Sequence, residues 1–379
     1  MKTEQSIWTS QTGWQPAPTG SLKNSAHLAL IFGSTEVLEK QELLEYVRSC
    51  YPGAILLGCS TSGEISSTQV TDDSLVVTAV SFMHTEIVGN KICLKDLPDS
   101  YEAGARLAGQ FSLDGLTHIF VLSDGSSVNG SELVRGLASI FPETVSVTGG
   151  LAGNAYEFRD TLVMLNGKPE KDIIAAVGFY GNNIHIGYGS VGGWDSFGPE
   201  RLVTRSKGNI LYELDNRNAL DLYKTYLGPY ADDLPASGLL FPLNLKTKSG
   251  DPGVVRTILS IDEKEQSLTF AGDIPEGSLA TLMKANFDRL IEGAIDAAKV
   301  AQDVQNTQAP QLALLISCVG RKLVLKQRVD EEIEGVSKIL GVNTLLTGFY
   351  SYGEISPFMA RHKCELHNQT MTITTLFEE

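Results

Sequence analysis

Gly58-Cys-Ser-Thr-Ser-Gly63-Glu64-Ile65-Ser66 returns 290 residues later (348 − 58) as Gly348-Phe-Tyr-Ser-Tyr-Gly353-Glu354-Ile355-Ser356. Each copy follows an apolar run, Ala54–Leu57 and Thr344–Thr347, so each sits where a strand opens into a loop. Loops at strand ends commonly carry function on a rigid scaffold. Two copies imply one site built from two halves, or two sites.

The repeat extends upstream of its loop. His27–Phe32 reads as a buried strand, and Leu38, Leu43, Leu44 and Val47 then fall on one helical face. The later copy runs through Leu312–Ile316 and a helix-like stretch around Glu331–Leu340. A weaker third copy lies between them. It comprises Ile119–Leu122, a helix near Ser131–Ile140, Val145–Thr148, and the loop Gly149-Gly-Leu-Ala-Gly153-Asn154. That loop is one residue shorter and ends in Asn154 where the others have glutamate. Units of roughly 30 to 36 residues match a strand–helix–strand element. Alternating strands follow each loop, for example Ser74–Ser81, Ile173–Phe179 and Thr370–Phe377, and further helices are expected at Ala219–Tyr226 and Leu279–Val304. The expectation is an α/β fold with mixed sheets built from repeated strand–helix–strand units.

Composition narrows the function classes. The chain has 379 residues, 42% hydrophobic and 20% charged, which fits packed domains rather than disorder. A net charge of −15 argues against a nucleic-acid partner or an anionic membrane surface. The five cysteines, Cys50, Cys59, Cys93, Cys318 and Cys364, form no CxxC, so reduced thiols are expected. No apolar run reaches the roughly 20 residues of a spanning helix. Residues 1–25 read as a polar N-terminal tail holding Trp8, Trp14 and Pro16, without the apolar core of a signal peptide. A cytoplasmic protein is the expectation.

Each chemical motif has a plain structural alternative. The glycine loops, with Gly63 as one hinge, form either backbone nests for a ligand or tight turns where glycine supplies positive φ. Glu64 and Glu354 either bind a ligand, or act as an acid–base pair, or accept hydrogen bonds from their own turns. Cys59 as a nucleophile would need a base and an orienting group that nothing local supplies, so a buried structural thiol is favoured. Gly187-Tyr-Gly189-Ser-Val-Gly192 matches GxGxxG, yet Gly193-Trp194-Asp195 follows instead of a helix, and the dinucleotide reading is discarded. The six histidines show no HxxxH or HExxH spacing, so a zinc hydrolase has no support. A single histidine remains compatible with axial ligation of non-covalent haem.

Taken together, the residues resemble the FIST family of bacterial sensory proteins. The resemblance rests on the two Gly-Glu loops, Gly149–Asn154, Gly193-Trp194, Val203–Ser206, Asn209, Leu211–Asp215, Ser317-Cys-Val-Gly-Arg321 and Leu366–Thr370. It implies a FIST N domain over 26–217 and a FIST C domain over 218–379. It also implies a small ligand, amino acids or related metabolites, reported to separate signalling machinery. One subgroup, the NosP-like sensors, binds haem, responds to nitric oxide and regulates a partner histidine kinase. The chain is similar to it in standing alone, so haem b is the cofactor implied, with His367 and then His185 as candidate axial ligands. On this reading the ligand groups are Cys59, Ser60, Thr61, Gly63, Glu64 and Glu354, with Arg321 pairing a carboxylate or propionate and Trp194, Tyr350 and Tyr352 as aromatic walls. The competing class is a thiol or carboxylate enzyme using Cys59 or Glu64. One departure stands out: the family usually reads Leu-Asp-Gly-x-Pro-Ala where this chain has Leu214-Asp-Asn-Arg-Asn-Ala219.

Overall fold

The computed structural model describes residues 1–379 except 19, 96, 156–159, 247–252, 306–308 and 358–363. His362, one of the six histidines, lies outside the described residues. The three copies of the repeat become three equivalent units. Unit one holds β1 (Leu28–Gly33), α1 (Gln41–Cys50), β2 (Ile55–Ser60), β3 (Glu64–Ser66) and β4 (Ser74–Ser81). Unit two holds β5 (Leu116–Ser123), α2 (Gly130–Ile140), β6 (Ser146–Leu151), β7 (Val163–Leu165) and β8 (Ile173–Tyr180). Unit three holds β9 (Leu312–Cys318), α3 (Val329–Leu340), β10 (Leu345–Ser351), β11 (Gly353–Pro357) and β12 (Met371–Glu378).

Within each unit the first two strands are parallel, β1 with β2, β5 with β6 and β9 with β10. The fourth strand returns antiparallel beside the first. The third strand leaves its own sheet. Strand β3 pairs with β10, β11 with β6, and β7 with β2, so each unit finishes the sheet of another in a closed cycle. The outer strands continue this exchange. Glu86–Cys93 follows β4 in the chain but pairs with β8, and Ile184–Val191 follows β8 but pairs with β12. In unit one the same place is taken by Lys2–Thr9, which pairs along the whole of β4. Residues 1–25, expected as a polar tail, therefore contribute a strand to the first six-stranded sheet. The segment Lys2-Thr-Glu-Gln-Ser-Ile-Trp-Thr9 shows no polar/apolar alternation to mark it, and its place is fixed by pairing with β4, with Trp8 against the first unit's helix-side core.

The parallel registers explain the leading glycine of each loop. Gly58 lies opposite Ile31, Gly149 opposite Val121, and Gly348 opposite Leu315. A Cβ at any of the three would overlap the facing carbonyl oxygen. The neighbouring positions Leu30, Phe120 and Leu314, then Phe32, Leu122 and Ile316, point into one core enclosed by the three sheets. Cys59 belongs to that core, beside Phe349 of unit three. Helices α1, α2 and α3 cover the outer faces, each through a stripe of buried residues on one side.

Between units two and three the chain forms an inserted eight-stranded sheet over 195–284, with the helix Ala219–Leu227 packed on it. The boundary expected at 217/218 falls inside a hairpin of this sheet, where Leu214 pairs with Arg217. The turn residues Asp215 and Asn216 both have positive φ, 50° and 59°. Asn and Asp tolerate that conformation and suit a two-residue hairpin, so the missing Gly and Pro are replaced without loss of the turn. Asp215 also accepts from Leu202 N (2.8 Å) and Arg201 Nη1 (2.9 Å). The single helix expected over Leu279–Val304 is instead strand Leu279–Lys284, then helix Phe287–Gln305. Pairing on both sides, with Leu243–Lys246 and Asp195–Lys207, overrides the helical pattern at its start. That helix lies on Ile184–Val191, and side chains at Gly187 or Gly189 would strike its Ala301 and Ala297 carbonyls. The GxGxxG pattern is thus a packing surface.

Candidate functional site

The three glycine loops meet. Ser62 N donates to Tyr350 O (2.9 Å), and Tyr350 N to Gly63 O (2.8 Å). Gly153 N donates to Ser60 O (2.9 Å), and Tyr352 N to Leu151 O (3.2 Å). Each loop is bonded to both others, so they form one junction, and it is closed to solvent: Ser60, Thr61, Ser62, Glu64, Ser351 and Glu354 are all buried.

The carboxylates serve their own turns. Glu64 accepts from Thr61 Oγ1, from Ser74 N (3.1 Å) and from Ser74 Oγ (2.6 Å). Glu354 repeats the pattern with Ser351 Oγ (2.6 Å), Thr370 N (3.2 Å) and Thr370 Oγ1 (3.0 Å). Each glutamate fastens the start of its unit's antiparallel strand, at Ser74, the first residue of β4, and at Thr370, just before β12. In unit two, where Asn154 instead bonds Asp160 O (2.9 Å), Asp124 at the end of β5 does this work by accepting from Asp172 N (3.1 Å). Burial pushes Glu64 up to about 7 and Glu354 up to about 8, against hydrogen bonds that pull the other way.

The other sequence candidates are similarly engaged. Arg321 is fully buried and donates to Glu332 (Nη2–Oε2 2.7 Å), to Leu290 O (2.7 Å) and to Gly192 O. Its expected partner, a ligand carboxylate, is supplied by the chain itself. Tyr350 OH donates to the same Glu332 (2.5 Å), and Trp194 Nε1 donates to Gln369 O (2.9 Å). Ser60 Oγ accepts from Leu162 N (2.9 Å), and Gly63 faces the Lys322 ammonium, which donates to Ser62 O (2.8 Å). Burial pushes the Cys59 thiol well above its ordinary value, away from the reactive thiolate. His367 is buried with Nε2 against Ser356 O (3.0 Å), and burial lowers it to about 4. His185 stands on another sheet, with Nε2 3.2 Å from Glu379.

Tyr352 of this set lines an open cleft. A cavity of about 480 Å³ separates unit two from the inserted sheet. The three exchanged sheets close around their shared core as a barrel, and one wall of the cavity is its turn Gly125–Gly130, with Leu151 and Tyr352; the other wall is Asn209, Leu259 and Phe270–Gly272. The cleft therefore lies beyond the carboxyl ends of parallel strands β5 and β6, a favoured ligand position in α/β folds. The turn is held firmly. Asp124 Oδ1 accepts from Ser126 N, Ser126 Oγ and Ser127 N (2.8, 2.9 and 2.8 Å). Asn129 caps α2 through Ser131 N (3.0 Å) and reaches across to Asp273 of the insert (3.0 Å). The result is a semi-rigid pocket with hydroxyl and amide groups on one side and apolar groups on the other, the usual make-up of a small-molecule site. Sequence reading passed over Asp124–Gly130 because this third repeat lacks the Gly-Glu pair; its turn residues before an N-cap were the available signal.

A model of the FIST N domain matches residues 27–217, and a model of the FIST C domain matches residues 219–357. The chain belongs to the FIST family. FIST domains are sensory domains that bind small ligands. The chain is also similar to an uncharacterized protein of Methanocaldococcus jannaschii, 23% identical over 94% of this chain and 75% of that one. Among solved structures, a cyanuric acid hydrolase from A. caulinodans aligns over 100% of this chain and 98% of its own, at 9% identity and a TM-score of 0.38. In this FIST protein the N and C matches meet within the inserted sheet, while the barrel draws strands from both. None of its described helices is long and apolar enough to cross a membrane.

Proposed function

We propose that this protein is a sensor whose small organic ligand binds in the cleft between unit two and the inserted sheet. The observation that carries this reading is the cleft's construction from two bodies: a ligand touching both Ser127 and Phe270 favours one arrangement of insert on barrel. That change is what a separate partner would detect, and a histidine kinase is the partner the family resemblance implies. Binding without catalysis is the reading that fits, because Cys59, Glu64 and Glu354 are enclosed and occupied.

A haem-based nitric oxide sensor would need an accessible axial histidine. His367 is committed to Ser356 O inside the sheet, and His185 Nε2, 3.2 Å from Glu379, is buried without a hydrogen bond. Neither lines the cleft, and the two stand on different sheets, so these residues do not fit haem there. A metabolite ligand is favoured.

The test is thermal unfolding of the whole protein against a metabolite panel, with a parallel haem titration followed by absorption. A ligand at 100 times its Kd should add about 2.7 kcal/mol of stability. Leu259→Arg, on the half-exposed cleft wall, should abolish that gain while leaving the unliganded protein as stable as before. Stabilisation that survives Leu259→Arg would move the site elsewhere. A Soret band that shifts with nitric oxide would restore the haem reading.

A further inference from the structure

The turn that walls the cleft commits its donors to the chain itself. Gly125 N donates to Thr161 Oγ1 (2.9 Å), Ser126 N and Ser127 N to Asp124 Oδ1 (2.8 Å each), and Asn129 N to Ser100 Oγ (3.0 Å). The hydroxyls on this wall do the same. Ser126 Oγ donates to Asp124 Oδ1 (2.9 Å), Ser127 Oγ to Asp172 Oδ1 (2.8 Å), and Tyr352 OH to Asn154 O (2.9 Å). A serine hydroxyl has one hydrogen and two lone pairs, so once its hydrogen is committed it can only accept. Ser126 and Ser127 are exposed and line the cavity, so their oxygens meet whatever enters it. On the facing wall Phe270 N donates to Asn209 O (2.9 Å) and Ala271 N to Thr257 O (2.9 Å).

The same bonds select against charge. Groups that would receive an anion, the N–H groups of the turn and the first turn of α2, are already filled. Asp124 holds the former; Asn129 Oδ1 takes Ser131 N (3.0 Å) and Glu132 N (3.2 Å) of the latter. Asp124 and Asp172 accept from Ser126 and Ser127, so an anion brought to these oxygens meets lone pairs backed by carboxylates. A cation gains little either. Asp124 is matched by Ser126 N and Oγ, Ser127 N and Asp172 N, and among the described residues no aspartate or glutamate lines the cavity. Taking a charge out of water without a partner is costly. Apolar surface is present in the same cavity, in Leu259, 43% exposed, and in half-buried Val128.

We infer that the cleft takes an uncharged organic molecule with an apolar body and a hydroxyl or N–H group, which donates to Ser126 Oγ or Ser127 Oγ. The inference rests on the proposed cleft site and deepens it. The apolar body lies against Leu259 and Val128, one on each wall. Free amino acids are set aside, because their ammonium and carboxylate groups would both enter without a partner.

The probes are 3-phenylpropan-1-ol, its methyl ether, 3-phenylpropionate, 3-phenylpropylamine and phenylalanine, titrated calorimetrically into the full chain. The alcohol should bind about three- to tenfold tighter than its ether, the span of one neutral hydrogen bond. It should bind at least about tenfold tighter than the acid, the amine or phenylalanine. Ser126→Ala combined with Ser127→Ala, at two exposed positions, should bring the alcohol down to the level of the ether. If that double variant keeps the preference for the alcohol, the serine oxygens are not the acceptors and the inference falls. If the double variant fails to fold, the ranking on the wild-type chain decides. Acid, amine or phenylalanine as tight as the alcohol would overturn the uncharged class, and an ether as tight as the alcohol would overturn the donor. Should no probe bind, the ligand class is wrong, while a metabolite whose stabilisation is lost in Leu259→Arg would keep the cleft site standing. If neither the probes nor the metabolite panel binds, the cleft reading itself fails.

Discussion

Replacing Glu354 by glutamine should change how stability depends on pH. In the folded protein the carboxyl is enclosed and pushed up from 4.5 to about 8, chiefly by desolvation. In the unfolded chain it titrates near its ordinary value. The contribution is thus fully present below about pH 4.5 and is lost as pH rises through 8, at about 1.4 kcal/mol per pH unit. Between about pH 6 and pH 9 the wild-type protein should lose about 3 kcal/mol through this group. Glutamine keeps the shape: its oxygen can accept from Thr370 N and Oγ1, and its amide can donate to Ser351 Oγ, 2.6 Å away. Urea unfolding at several pH values, with the difference between Glu354→Gln and wild type as the readout, isolates the effect. Other groups, including His118 and His367, which burial lowers to about 3 and about 4, are common to both proteins and cancel. The variant should gain on the wild type by about 3 kcal/mol across the window. A difference that stays flat within about 0.5 kcal/mol would refute a protonated, desolvated Glu354.

Glu64→Gln should behave likewise with a smaller gain of about 1 kcal/mol over the same window, since its folded value is about 7. Arg321→Met leaves Glu332 buried and unpaired beside Tyr350 and should cost about 3–5 kcal/mol in chemical unfolding. Gly348→Ala drives a methyl into Leu315 O across the parallel register and should cost about 3 kcal/mol, with Gly149→Ala comparable. Maleimide labelling at neutral pH, followed by mass spectrometry, should modify exposed Cys93 first and half-buried Cys50 next. Buried Cys59, Cys318 and Cys364 should stay protected until unfolding.

The repeat was legible because glycine at Gly58, Gly149 and Gly348 answers one local demand, a close carbonyl in the facing strand. Strand and helix positions followed from apolar periodicity in those stretches. The exchange of third strands was not legible, since Glu64–Ser66 gives no sign that it pairs with residues 347–349. Nor was the role of the glutamates, which depends on Ser74 and Thr370 being brought to them by the fold. The aromatic and charged residues singled out as ligand groups were residues of the right type whose partners, Glu332 for Arg321 and Tyr350, stand on another element. The cleft escaped notice because half of it belongs to the insert, which lies outside the repeat.

The closed cycle of strand exchange makes the barrel an interlocked ring rather than a stack of modules. None of the three exchanged sheets is complete until segments 104 (163 − 59), 206 (355 − 149) or 283 (348 − 65) residues apart have met, the last when Glu64–Ser66 joins Leu345–Ser351. Such non-local closure slows folding and ties the three sheets into one cooperative event. Cutting the chain at the point where the two family matches meet would leave β10 without β3 and Ile184–Val191 without β12. The inserted sheet takes no part in that exchange, so the proposed coupling of ligand to insert would leave the ring's own strand pairings untouched.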